Sequence, residues 1–157
     1  IMKYIILAVV IALAIFYFAR SSVNKKEALE NIAISKDFLA KNKANQGVIQ
    51  TASGLQYQVL QKGEGSKHPS ASTTVKVHYH GTLLDGTIFD SSVDRGQPIS
   101  FSLNQVIKGW TEGVQLMVEG DKFKFFVPSD LGYGNRSTGK ITSGSLLIFE
   151  VELLEIR

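Results

Sequence analysis

The chain has 157 residues, 44% of them apolar and 20% charged, with 17 basic and 14 acidic side chains and no cysteine. That length suits one domain with a full core, the composition is that of a folded globular unit, and the lack of cysteine excludes a disulfide framework and a lipid anchor on a thiol. The surplus positive charge does not mark a nucleic-acid face: Lys3, Arg20, Lys25, Lys26, Lys36, Lys41 and Lys43 stand against only Glu27, Glu30 and Asp37 before residue 49, and the remainder is close to neutral, whereas a nucleic-acid binder concentrates charge on its folded face.

Tyr4 to Ala19, YIILAVVIALAIFYFA, is an unbroken apolar run behind Lys3, shorter than the roughly 20 residues of a typical membrane span. Signal peptidase needs small residues at its cleavage positions, but Tyr17 stands two places before Ala19 and the better Ala12 and Ala14 pair lies inside the run. Residues 1–20 therefore read as an uncleaved signal anchor, touching the membrane through residues 4–19, with a removed signal peptide as the alternative. Orientation is mixed, because Lys3 precedes the run and Arg20, Lys25 and Lys26 follow it.

Asn24 to Asn45 lacks Gly and Pro and is rich in Ala, Lys, Glu and Leu, with Ser22 or Asn24 as N-cap and Gly47 as a stop. It predicts a helix. Leu29, Ile32, Phe38 and Leu39 give an incomplete apolar stripe, which suits a stalk, a dimer contact or a helix laid on the domain. Residues 21–48 are the expected helical linker and 49–157 the folded domain.

From Gly54 the period changes to two, the signature of strands. Leu55, Tyr57 and Val59 form one alternating set; Val75, Val77 and Tyr79 a second; Phe123, Phe125 and Val127 a third; Leu147, Phe149, Val151 and Leu153 a fourth. Turn chemistry separates them at Gly63 to Gly65, Asp85-Gly86, Arg95-Gly96, Glu119-Gly120 and Gly132 to Gly134. Between them only Gly109 to Met117 has helical character. The prediction is an α+β fold: a curved antiparallel sheet wrapped around one short helix.

The stretch Val77 to Trp110 interleaves aromatics with an acid, Asp90, inside segments that otherwise look like ordinary buried strands. Such a pocket is poorly equipped for hydrolysis or phosphate handling and suited to desolvating an apolar ring such as proline. Two other patterns carry no chemistry. Gly134 to Ile141, GNRSTGKI, nearly spells a phosphate loop, but Ile141 cannot ligate magnesium and a strand pattern follows instead of a helix. His78 and His80 share the strand face opposite Tyr79 and lack the third ligand a metal needs, so they read as a solvated face; no metal is expected.

The segments VHYHGTLLDGTIFDSS, VIKGWTEGVQLM, VPSDLGYG and LLIFEVELLEI, in this order and spacing, resemble the FKBP-type peptidyl-prolyl isomerases over about Gly54 to Arg157. The preceding FLAKNKANQGVIQTASGLQYQVLQKGEG is similar to the helix and connecting strand of the exported bacterial, macrophage infectivity potentiator-like branch, whose members dimerise through a longer N-terminal helical region. The resemblance implies Trp110 as the floor of a proline pocket, Tyr79, Phe89, Val106, Ile107 and Phe149 as walls, Tyr133 and the Ile107 N–H as donors to a ligand carbonyl, Asp90 beside the twisting amide, and Arg95 as a partner for Asp90. Ile141 matches a residue at the lip.

The chain departs from the family pattern at Ile99, where many members carry an aromatic wall, at Gln105 in place of an acid, in a shorter loop before it, and at Thr142-Ser143 in place of a proline pair. This last change predicts a looser flap over the pocket. The resemblance implies a peptidyl-prolyl cis-trans isomerase acting on proline-containing polypeptide clients, with no cofactor, bound by macrolide FKBP ligands, not acting on nucleic acid, and open to homodimerisation through residues 24–45. It would be anchored to the inner membrane facing the periplasm, or periplasmic or secreted if the leader is cleaved. The competing reading is a binding module that holds clients in the same pocket without turning them over; a purely structural membrane protein is a third.

Overall fold

The computed structural model describes residues 25–157; the apolar run Tyr4 to Ala19 and the N-cap candidates Ser22 and Asn24 lie outside the described residues. Helix α1 spans Lys25–Asn42, sustained by good helix formers and an exposed Lys41–Asp37 pair at 3.0 Å. It ends earlier than the sequence pattern suggests. Residues 43–46 form a turn, and Gly47, at φ 84°, redirects the chain into strand β1, Val48–Gln50.

The other elements follow as β2 Gln56–Gln61, β3 Thr74–Thr82, β4 Ile88–Ser91, α2 Ser92–Arg95, β5 Ile99–Ser102, α3 Lys108–Val114, β6 Lys122–Val127 and β7 Leu147–Ile156. All strand pairs are antiparallel, in one sheet of order β1-β2-β6-β7-β3-β4, with β5 also paired to β3. The long β3 serves two partners on its free edge: Thr74 to Val77 pair with β5 and His80 to Thr82 with β4. Irregular register at Gly81/Thr82 and Lys76/Val77 accompanies this division, as expected where bulges bend a strand beside a site.

Three of the four alternating sets of the sequence lie inward on β3, β6 and β7; in the first, Leu55 precedes β2, Val59 is 40% exposed and Gln56, expected on the wet face, is buried beneath α1. Val75, Val77, Tyr79, Phe123, Phe125, Val127, Leu147, Phe149, Val151 and Leu153 are all buried in one core, and α3 adds Trp110 and Val114 to it. α3 stops at Val114, and the chain turns down to a buried Met117. Strands β1, β4 and β5 have three or four residues each, too short to show a period of their own.

Alternation along β6 turns Phe126 away from the core that holds Phe125, and α1 covers it. The Phe38 and Phe126 ring centroids are 5.9 Å apart. Fully buried Gln56 completes the attachment: its Nε2 donates to the Leu39 carbonyl (2.8 Å) and its Oε1 accepts from Asn42 Nδ2 (2.9 Å). Of the three arrangements open to this helix, the described residues show it laid on the domain, although Leu29 and Ile34 stay 70% and 56% exposed. Among the described residues no helix is long and apolar enough to cross a membrane.

Candidate active site

One face of the sheet gathers the aromatic residues of Val77 to Trp110. Tyr79 points inward from β3, Phe149 from β7, and α3 sets Trp110 between them. The Trp110 ring lies edge-on to Tyr79 (centroids 5.2 Å, 79°) and to Phe149 (5.1 Å, 79°), while Phe89 from β4 meets Phe149 at 5.3 Å and 90°. These are the edge-to-face arrangements that aromatic quadrupoles favour. Phe101 on β5 adds a fifth ring, 5.5 Å from Trp110. Phe101 is not among the residues that the resemblance implies, and β5, with four residues, is too short to announce it by period.

Gly81 makes room for this cluster. It lies opposite Phe149 on one side and Asp90 on the other; a Cβ there would stand 2.7 Å from Phe89 Cζ and 3.0 Å from Phe149 Cε1. Only a residue without a side chain lets the two rings meet over β3.

One edge of the cluster is polar. The Tyr79 hydroxyl donates to one oxygen of Asp90, the Arg95 Nη1 donates to the other, and Arg95 Nη2 donates to the Tyr79 hydroxyl at 3.0 Å. The guanidinium carbon lies 5.7 Å from the Tyr79 ring centroid, within cation–π range. α2 aims Arg95. Its N-terminus is capped by Ser91 Oγ, which accepts from the Asp94 N–H at 3.1 Å, and it closes on Gly96 in the left-handed region. Ser92 Oγ accepts from the Tyr79 N–H at 2.7 Å, fastening α2 to β3. Burial, then the bond to Asp90, pushes the Tyr79 phenol far above its ordinary value.

Two donors stand unpaired beside the rings. The Tyr133 hydroxyl and the Ile107 N–H make no hydrogen bond among the described residues, although Tyr133 and Ile107 both pack on the core. Burial, with the charge of Asp90 adding to it, pushes the Tyr133 phenol up to about 12. The Ile107 carbonyl, by contrast, is engaged by the Trp110 and Thr111 N–H groups at 3.0 and 3.1 Å. Ile141 is buried in the same core, and Ile99 and Val106 pack against it.

The structure thus brings Tyr79, Phe89, Asp90, Arg95, Trp110 and Phe149 into direct contact, and sets Ile99, Val106, Ile107, Tyr133 and Ile141 around the same core. The phosphate-loop look-alike leads through a Thr138–Ile141 bridge toward β7 rather than a helix. His78 and His80 lie outside the site on the wet face of β3, their Nδ1 atoms 2.9 and 2.8 Å from Ser92 Oγ and Ser91 Oγ.

The family model of the FKBP-type peptidyl-prolyl cis-trans isomerase matches residues 65–154. The chain belongs to this FKBP family. A second model, the domain amino terminal to FKBP-type peptidyl-prolyl isomerase, matches residues 11–59. The chain is 59% identical over 131 residues to the FKBP-type peptidyl-prolyl cis-trans isomerase FkpA of Aeromonas hydrophila, covering 83% of this chain and 48% of that one. It is 46% identical over 139 residues to the outer membrane protein MIP of Legionella longbeachae, covering 88% and 59%. The crystal structure of FkpA from Escherichia coli superposes with a TM-score of 0.80 at 43% identity, covering 85% of this chain and 62% of that one. These FKBP relatives place the chain in the exported bacterial branch, of whose curated members it spans about half the length.

Proposed function

We propose that this FKBP-family chain is a peptidyl-prolyl cis-trans isomerase that turns X-Pro bonds in unfolded or partly folded protein clients. One observation carries the reading: two unpaired donors, the Tyr133 hydroxyl and the Ile107 N–H, border a ring cluster floored by the sole tryptophan. In this reading they take a ligand carbonyl while Trp110, Tyr79, Phe89, Phe149, Val106 and Ile99 take the prolyl ring and Ile141 closes the lip.

The chemistry needs no nucleophile and no cofactor. Rotating an X-Pro bond makes and breaks no covalent bond; the barrier of roughly 18–20 kcal/mol is the loss of amide resonance. Twisting withdraws charge from the carbonyl oxygen, so an apolar pocket disfavours the polar planar amide more than the twisted one. Each tenfold acceleration requires about 1.4 kcal/mol of that difference. Asp90, held by Tyr79 and Arg95, fixes the electrostatics and orientation at the polar edge.

The chain works outside the cytoplasm, consistent with a relative named as an outer membrane protein, with residues 4–19 as its membrane tether. Leu29 and Ile34, exposed on α1, supply apolar surface for a homodimer through residues 24–45. Mass measurement of the mature N-terminus tests the tether: loss of residues 4–19 rejects it. A protease-coupled assay with a proline-containing peptide tests the activity. Acceleration suppressed by a macrolide FKBP ligand is expected. Binding of the peptide without acceleration would leave only a client-holding module.

A further inference from the structure

We propose that helix α1 clamps the proline pocket, with Asn31 and Glu27 as positioning residues that hold the 133–145 loop and, through it, Ile141 and Tyr133. The inference rests on the isomerase reading for its kinetic consequence, though not for its geometry.

The C-terminal half of α1 is fixed to β2 and β6 through Phe38, Leu39 and Asn42. Asn31 lies about two turns before Phe38, roughly 10 Å along the axis at 1.5 Å per residue, and is carried on the same helix. Asn31 Nδ2 donates to the Ser143 carbonyl at 2.8 Å and to Thr142 Oγ1 at 3.2 Å, and the Ser143 N–H donates to Glu27 Oε1 at 3.1 Å. The next residue lies against the helix itself: a Cβ on Gly144, which sits at φ 75°, would be 2.4 Å from the Ala28 carbonyl oxygen. Three successive loop residues are thus seated on one face of α1.

The loop passes this contact to the pocket. Gly144 N–H donates to the Gly134 carbonyl at 2.9 Å, beside Tyr133, and Thr138 and Ile141 exchange both backbone bonds at 2.8 and 2.9 Å. Thr142 Oγ1 and Ser145 Oγ are 2.7 Å apart. The Thr142-Ser143 departure from the family pattern therefore does not leave a loose flap. A proline at 143 would have no N–H to give Glu27, and neither proline would offer the Thr142 hydroxyl. Restraint comes from a helix more than a hundred residues away in sequence, in place of ring-stiffened backbone. Among the described residues the buried side-chain polar atoms lacking a protein partner are Trp110 Nε1 and Ser143 Oγ, one at the pocket floor and one at this contact; such atoms are rare enough to mark special positions.

A loop ordered in advance spares the substrate the cost of ordering it. Breaking the clamp should accordingly weaken substrate binding more than it slows the bound step. The test is Asn31→Ala in the full chain, read by amide hydrogen exchange and by kcat and KM for a proline-containing peptide. Expected are at least tenfold faster exchange at Ile141 and Gly144, unchanged exchange at Val151 in β7, and a KM raised several-fold with kcat within twofold. Unchanged exchange at Ile141 and Gly144 would overturn the clamp, and faster exchange with an unchanged KM would overturn its link to the pocket. Should Asn31→Ala also speed Val151, Glu27→Ala, which removes the bond to the Ser143 N–H, decides on the same readouts. If the native chain does not accelerate isomerisation, the proposed function fails alone, because the exchange data and a titration of Trp110 emission with the peptide still judge the clamp.

Discussion

The Tyr79 hydroxyl and the Asp90 carboxylate are bonded across neighbouring strands although they are not register partners: Asp90 pairs with Gly81, two residues beyond Tyr79. The missing side chain at Gly81 leaves its space to the Phe89 and Phe149 rings. Arg95 closes the triangle on the hydroxyl and the carboxylate.

Removing the acid should therefore disable the polar edge without dismantling the rings. Asp90→Ala leaves Tyr79 and Arg95 without their acceptor. Arg95 and Asp90 are each 37% exposed at the side chain, so solvent screening reduces the stability lost. A fall of about tenfold in kcat/KM, equivalent to about 1.4 kcal/mol, is expected with little change in Tm. An unchanged rate would remove Asp90 from the site.

Tyr133→Phe separates binding from folding in a different way. The hydroxyl has no hydrogen-bond partner among the described residues, so its loss should leave stability within about 0.5 kcal/mol. One hydrogen bond to the substrate, worth about 0.5–1.5 kcal/mol, should vanish, and the KM for a proline-containing peptide should rise several-fold. A fall in Tm with unchanged KM would instead assign the hydroxyl to structure.

The same phenol predicts behaviour in alkali. Its value is raised from 10.0 to about 12 in the folded chain, so folding favours the protonated form. That contribution is complete below pH 10 and is lost as pH rises toward 12, because the unfolded chain ionises first. A tyrosinate absorbance titration should show a late-ionising phenol in the native chain that Tyr133→Phe lacks. Identical titrations for the two would contradict the assignment.

Gly81→Ala should act on the rings directly. Its methyl would enter the contact of Phe89 with Phe149, and overpacking of this kind costs about 1–3 kcal/mol. A lower Tm, an altered Trp110 emission spectrum and weaker macrolide binding are expected together. Native emission and affinity would show that the rings tolerate the methyl.

Much of this was legible in the sequence, because period-two alternation is a local signal. The inward sets of β3, β6 and β7 and the short plug carrying Trp110 follow from spacing alone. The ordered motifs supplied Asp90, Arg95 and Tyr133, whose meeting depends on strand pairing that no window of residues displays. β4 and β5 escaped for want of length, and Phe101 with them. The seat of Ser143 on Asn31 joins positions far apart in the chain, each unremarkable alone; read singly, Thr142-Ser143 pointed to slackness, and only the folded arrangement reveals the fastening.

Gln56, hidden beneath α1 and bonded to both Leu39 and Asn42, makes residue 49 a misleading place to cut. A fragment trimmed there would keep every ring of the pocket, yet bare Phe126 to water and leave Gln56 Oε1 without Asn42, only the bond from its Nε2 to Gln50 remaining. Inhibitors selected on such a fragment would be matched to an unbuckled receptor, and their ranking would shift when the intact chain replaced it.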